Sequence, residues 1–116
     1  MAIDLWDFRS GVGHERTDLR GMSVEALDGG VGKVEEVVQE PGGSFLVIDT
    51  GPWILGKKVL LPAGLVSGID VDDERIKVER YKEEIKGAPE FDEERRGEPA
   101  YRDALTRHYG AAQPKA

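Results

Sequence analysis

The chain has 116 residues, of which 39% are apolar and 34% charged, with a formal charge of −7. That is enough for one domain around one core, and the acidic balance excludes capture of a phosphate backbone by net charge. It contains no cysteine, which removes disulfides, iron–sulfur clusters and thiolate zinc sites, and no apolar run approaches the ~18 residues that span a bilayer.

Residues 1–17 form a polar lead-in with an apolar knot at Leu5, Trp6 and Phe8, followed by Gly11 and Gly13. The acids at Asp4 and Asp7 leave no room for the apolar core of a secretory leader, so a cytoplasmic protein is expected. Residues 18–92 read as a β domain. Asp28-Gly29-Gly30 between Val-containing runs predicts a hairpin, because glycine takes the positive φ of tight turns. Val34, Val37 and Val38 break strict alternation and predict a bulge at Glu35-Glu36. Pro41-Gly42-Gly43 turns the chain into a continuous apolar strand, Phe45-Leu46-Val47-Ile48. Gly51-Pro52 turns it again before Trp53-Ile54-Leu55, and Val59-Leu60-Leu61 makes a further strand ended by Pro62. In the last predicted hairpin Ile69 and Val71 face Ile76 and Val78 across Asp72-Asp73-Glu74.

Five or six short strands with frequent turns predict a small antiparallel barrel, closed so that no edge is exposed. Residues 93–116 are a charged linker, a short helix and a frayed tail. A first short helix is predicted over 81–86, stopped by Gly87 and Pro89. A second starts at Pro99, carries Tyr101, Leu105 and either His108 or Tyr109 at helical spacing, and has Gly110 as its stop.

Chemistry-bearing motifs are scarce. Asp70-Val71-Asp72-Asp73-Glu74 begins like a calcium loop, but Arg75 occupies the position that needs glycine and Tyr81 the one that needs a bidentate glutamate, so it reads as a solvated turn. Gly30-Val31-Gly32-Lys33 fails as a phosphate loop, since Leu27 and Val34 stand where glycine and Ser or Thr are required. His14 and His108 lie near opposite ends of the chain, and Ser67 lacks the glycine that a nucleophile elbow needs before it. No catalytic residue, metal ligand or cofactor site is expected. Trp6 and Phe8 stand outside the barrel pattern and must bury either on their own barrel or on a neighbouring subunit.

The runs Gly21-Met22-Ser23-Val24, Asp28-Gly29-Gly30-Val31-Gly32-Lys33-Val34, Phe45-Leu46-Val47-Ile48-Asp49-Thr50-Gly51 and Lys58-Val59-Leu60-Leu61-Pro62 resemble the PRC-barrel domain. The Ile76-Lys77-Val78 strand and Ala88-Pro89-Glu90-Phe91-Asp92 fit the same pattern, giving coverage of residues 18–92. The lead-in followed by this domain is similar to small stand-alone bacterial members. The resemblance implies a six-stranded antiparallel barrel, mainly β with short C-terminal helices, used as a non-enzymatic interaction or scaffold module. Its relatives include the cytoplasmic part of the photosynthetic reaction-centre H subunit and a domain of a ribosome-maturation factor, which supply the alternative functions. Against the first stands the expectation of no membrane-anchoring helix, and against the second the short lead-in and the acidity. A homodimer is expected, with an unidentified protein partner and neither nucleic acid nor membrane insertion. Leu5, Trp6, Phe8, Trp53, Tyr101, Leu105 and Tyr109 are the candidate interaction residues.

Overall fold

The computed structural model describes residues 5–13, 17–51 and 58–111. Six strands form one sheet: β1 (Ser23–Ala26), β2 (Gly29–Val38), β3 (Phe45–Asp49), β4 (Lys58–Pro62), β5 (Val66–Asp70) and β6 (Arg75–Val78). Two helices follow, α1 (Lys82–Lys86) and α2 (Pro99–Ala111). No helix among the described residues is long and apolar enough to cross a membrane.

The sheet order is β4-β3-β2-β1-β6-β5. All neighbours are antiparallel except β1 and β6, which pair in parallel with Val24 opposite Ile76. The expected all-antiparallel closed barrel is therefore corrected on both counts: the sheet is mixed, and no ladder joins its edge strands β4 and β5 among the described residues. The cause lies at one connection. A pattern of strands and turns suggests that the chain reverses at every turn, which would leave β6 antiparallel to β1. Between Pro62 and Val66, however, it passes through a 3-10 turn, Ala63–Leu65, and enters β5 in the direction it left β4. One missing reversal makes β6 run with β1.

The same connection forces the sheet to curl. A flat six-stranded sheet would hold its edges about 24 Å apart at the usual strand spacing, whereas four residue steps from Pro62 to Val66 span at most about 14 Å. The chain crosses from one edge to the other at that corner. Its open end is tied by main-chain bonds: the Ala63 amide donates to the Ser44 carbonyl at 3.0 Å and the Glu79 amide to that of Leu65 at 2.9 Å.

Local expectations fare unevenly. The bulge appears where the valines place it, between Val34 and Glu36 opposite Val47-Ile48. The first hairpin turns at Leu27-Asp28, one residue earlier than its glycines suggest, and Gly29 and Gly30 enter β2. Val71 belongs to the turn rather than the strand and is 55% exposed. Helix α2 begins at Pro99 but runs through Gly110 to Ala111. Gly110 does not adopt the left-handed conformation that would end a helix there.

The core gathers Val24, Val31, Val34, Leu46, Ile48, Leu60, Leu61, Leu65, Val66, Ile76 and Val78 inside the curl. Four successive residues of β3, from Phe45 to Ile48, are buried, so that strand needs cover on both faces. Part of the second cover is Trp6, which meets Phe45 edge-on at 6.5 Å between ring centroids.

Candidate protein-interaction site

Most of the aromatic candidates are packed within the chain. Tyr101, Leu105 and Tyr109, spaced four apart on one face of α2, are 5%, 0% and 0% exposed in the protein's own core. Leu5, Trp6 and Phe8 are half-buried against it. The lead-in is a strap: the Ser44 amide donates to the Trp6 carbonyl at 2.7 Å and the Gly64 amide to the Leu5 carbonyl at 2.8 Å. The Trp6 indole donates to Thr106 Oγ1 at 2.8 Å, and the Arg102 guanidinium lies 4.2 Å from its ring centroid. Arg9 continues the strap by donating to the Gly64 carbonyl and to Glu79 Oε2, both at 2.9 Å. Trp53 and His14 lie outside the described residues.

The end of α2 is pinned by a buried cation. Arg80, 4% exposed, donates to the Tyr109 carbonyl at 3.0 Å and lies 3.6 Å from Glu84 Oε2. Burial lowers its pKa, while Glu84 and Glu79 pull the other way. Burial raises the Tyr109 phenol far above its ordinary value. A guanidinium on the last carbonyls of a helix is the favourable end for positive charge. His108 donates from Nε2 to the Glu84 carbonyl at 2.6 Å, which gives it a structural place. Among the described residues no three His, Asp or Glu side chains converge as a metal site. The acidic turn is held by its own backbone, with the Asp73 amide donating to Asp70 Oδ1 at 3.1 Å.

A second candidate surface is one that the aromatic pattern does not indicate. A groove of about 460 Å³ opens on the outer face of the β1–β2 hairpin, between β6 and the end of β3. Its floor exists because β2 carries glycine at 30 and 32, next to the register shift that leaves Val31 unmatched on β1. The two glycines have different reasons. At Gly32, φ is +154°, and an added Cβ would lie 2.1 Å from the Asp49 carbonyl oxygen, so the backbones of β2 and β3 approach where no side chain fits. At Gly30 an added Cβ would meet nothing within 4 Å, and the missing side chain simply leaves the groove open.

Charge rings this floor. Arg75 of β6 pairs with Glu25 of β1 at 3.0 Å, and Lys33 of β2 is opposite Asp49 of β3. Two cations and two carboxylates make a locally neutral rim on an acidic chain. Outside the rim, Lys58 pairs with Glu35 at 2.7 Å, and Arg96 bridges Glu36 and Glu93. Beside the groove, at the tip of the same hairpin, Leu27 is 50% exposed, and its amide donates to the carbonyl of Arg80, the residue before Tyr81, itself 45% exposed. The available sequence signal was Gly-x-Gly inside a strand, which marks a close backbone approach rather than a phosphate cradle.

A family model described as the PRC-barrel domain matches residues 12–85. No curated protein matches the chain. Nine solved chains do. Among them is the crystal structure of a putative 16S ribosomal RNA processing protein, RimM, from Pseudomonas aeruginosa, at 19% identity and a TM-score of 0.47. That match covers 56% of this chain and 42% of the other, so less than half of the longer protein is represented here.

Proposed function

Since this chain belongs to the PRC-barrel family, we propose that it is a non-catalytic protein-interaction module that works as a homodimer. The observation carrying this reading is the glycine-floored groove, an apolar recess with a balanced charged rim on a surface that is otherwise strongly acidic. Its volume falls within the usual range of ligand recesses. Among the described residues no nucleophile, base and orienting group are brought together around it; its rim carboxylates are engaged in pairing and turn contacts. The Asp49 carboxylate accepts from the Gly51 amide at 2.9 Å, and that of Glu25 from Arg75.

The acidic charge supports a protein partner over a nucleic acid, because a phosphate backbone would meet a net repulsive field. The curled sheet and its strap supply the rigid frame, and the groove supplies the docking surface. Sedimentation equilibrium over micromolar to millimolar concentrations tests the dimer directly. A reversible rise from 12.8 kDa toward twice that mass is the expected result. A single 12.8 kDa species throughout overturns it.

A further inference from the structure

We propose that α2 is a lid: it leaves the sheet as one unit about a hinge at Gly97 while the six strands stay folded, baring the apolar face of Tyr101, Leu105 and Tyr109. The proposal goes beyond the module reading and does not depend on the dimer.

Three observations carry it. First, the unsatisfied polar groups of the interior collect at one joint. Among the described residues, the buried side-chain atoms without a hydrogen-bond partner are Arg80 Nε, Glu84 Oε2 and the hydroxyls of Tyr101 and Tyr109. None lies within the sheet. Two belong to α2, and the other two to the residues that hold its last turn, since Arg80 donates to the Tyr109 carbonyl and the Glu84 carbonyl accepts from His108. The Asp92 amide approaches the Tyr101 oxygen, but nothing among the described residues accepts the phenolic proton. A buried polar group without a partner costs its full desolvation, so closure of α2 is opposed at its own contact surface.

Second, the described bonds that hold α2 run through side chains: Trp6 Nε1 to Thr106, Arg80 to the Tyr109 carbonyl and His108 to the Glu84 carbonyl. Each can be released without breaking a ladder, whereas β1 to β4 are joined along their lengths by main-chain pairing. Third, the tether is free to bend. None of residues 87–98, which join α1 to α2, is buried or belongs to a helix or strand. Arg96 pins this tether to Glu36 of β2, and at the next residue, Gly97, an added Cβ would meet nothing within 4 Å. The anchor therefore stays on the sheet and the swing begins just beyond it. The region shared with the family ends at residue 85, ahead of the tether, so α2 is an addition to that domain.

A helix of 13 residues is marginal in water on its own, so α2 loses its protected amides when it leaves the sheet, and hydrogen exchange reads the opening. Exchange is followed on the full chain at low micromolar concentration and at several urea concentrations below the unfolding transition. Amides 104–108 should exchange at least about a hundredfold faster than those of β3, with a weaker dependence on urea, as local opening does. Tyr109→Phe should slow exchange in α2 about fivefold or more, because it removes a hydroxyl that closure leaves unpartnered. A tyrosine that only packs or is bonded would give the opposite sign. The chain has no native cysteine, so Leu105→Cys and Leu46→Cys each carry a single thiol at a position that is 0% exposed. The thiol at 105 should react with a thiol reagent far faster than that at 46. Equal exchange rates and equal urea dependence in α2 and β3 would end the proposal, as would a Tyr109→Phe protein whose α2 exchange is unchanged or quicker. So would equal reactivity of the two thiols. None of these results touches the module reading, which stands or falls on association.

Discussion

Gly30 and Gly32, two residues apart on one strand, should respond to the same substitution with opposite signs. Alanine at 32 places a methyl 2.1 Å from the Asp49 carbonyl oxygen, 2.9 Å from its carbon and 2.9 Å from Thr50 Cα. All three atoms are backbone, and Thr50 is only 2% exposed, so no side chain can swing away to relieve the overlap. Overpacking of this kind costs about 1–3 kcal/mol, and the positive φ adds about 1–3 kcal/mol for a residue with a Cβ. Together Gly32→Ala should lose about 3–5 kcal/mol, equivalent to a fall in Tm of roughly 12 °C or more for a domain of this size. Gly30→Ala meets nothing within 4 Å and has no positive φ. Replacing a strand glycine there should stabilise by about 0.5–1 kcal/mol, mainly by reducing the freedom of the unfolded chain. Urea unfolding followed by tryptophan fluorescence, at one low micromolar concentration so that association does not contribute, reads both. A Gly32→Ala protein within about 0.5 kcal/mol of the parent would refute the close approach of β2 and β3, given the usual error of such extrapolations. So would a Gly30→Ala protein less stable than Gly32→Ala.

Three further outcomes follow from the interior and the strap. Glu84→Ala leaves the Arg80 guanidinium buried without its carboxylate, and should cost about 3 kcal/mol in chemical denaturation, whereas Arg80→Met with Glu84→Met should recover most of it; equal losses in the two proteins would count against the pair. Trp6→Ala removes the indole bond to Thr106, the Arg102 stack and the edge contact with Phe45. It should cost about 2 kcal/mol, near half a fully buried aromatic, and amide exchange in α2 should quicken more than in β2 and β3; unchanged exchange would show that the strap does not hold the helix. Hydrogen bonds from Arg96 and Arg9 hold Glu36 and Glu79 below the ordinary carboxylate range, so the unfolded chain takes up protons first as pH falls. Their contribution is complete above about pH 5 and disappears as pH drops through the folded values; Tm should fall from pH 5 to 3, less steeply in a double Arg9→Gln, Arg96→Gln protein, and parallel slopes would refute the assignment.

How far the sequence could be read depended on whether the determining interaction was local. Alternating valines locate β2, the interrupted alternation places its bulge, and Pro99 starts α2 where its fixed φ suits a first helical residue. Each signal is complete within a few residues. Gly110 has the right chemistry for a stop, but the Arg80 bond to the Tyr109 carbonyl satisfies the last turn and no left-handed residue is needed there. Arg80 lies 29 residues upstream of Tyr109, beyond any helix-end signal. The strap is similar: Leu5, Trp6 and Phe8 must bury somewhere, but that their cover is Phe45, Gly64 and Thr106 depends on contacts across most of the chain. The groove was least visible because it is made from missing side chains. Glycines in a strand indicate that something is close or that something is open, and only the neighbouring strand distinguishes Gly32 from Gly30.

Strand direction links the departure from a closed antiparallel barrel to the proposed docking surface. Arg75 is the first residue of β6, and the parallel pairing places it opposite Ser23, within reach of Glu25. With a reversal at every turn, β6 would run against β1 and Arg75 would start at the Ala26 end, away from Ser23, which it now faces. The direction-keeping passage through Ala63, Gly64 and Leu65 therefore does more than curl the sheet. It brings Arg75 to the rim of the groove beside Glu25, and the amide of Gly64 at the corner is itself fixed to the Leu5 carbonyl.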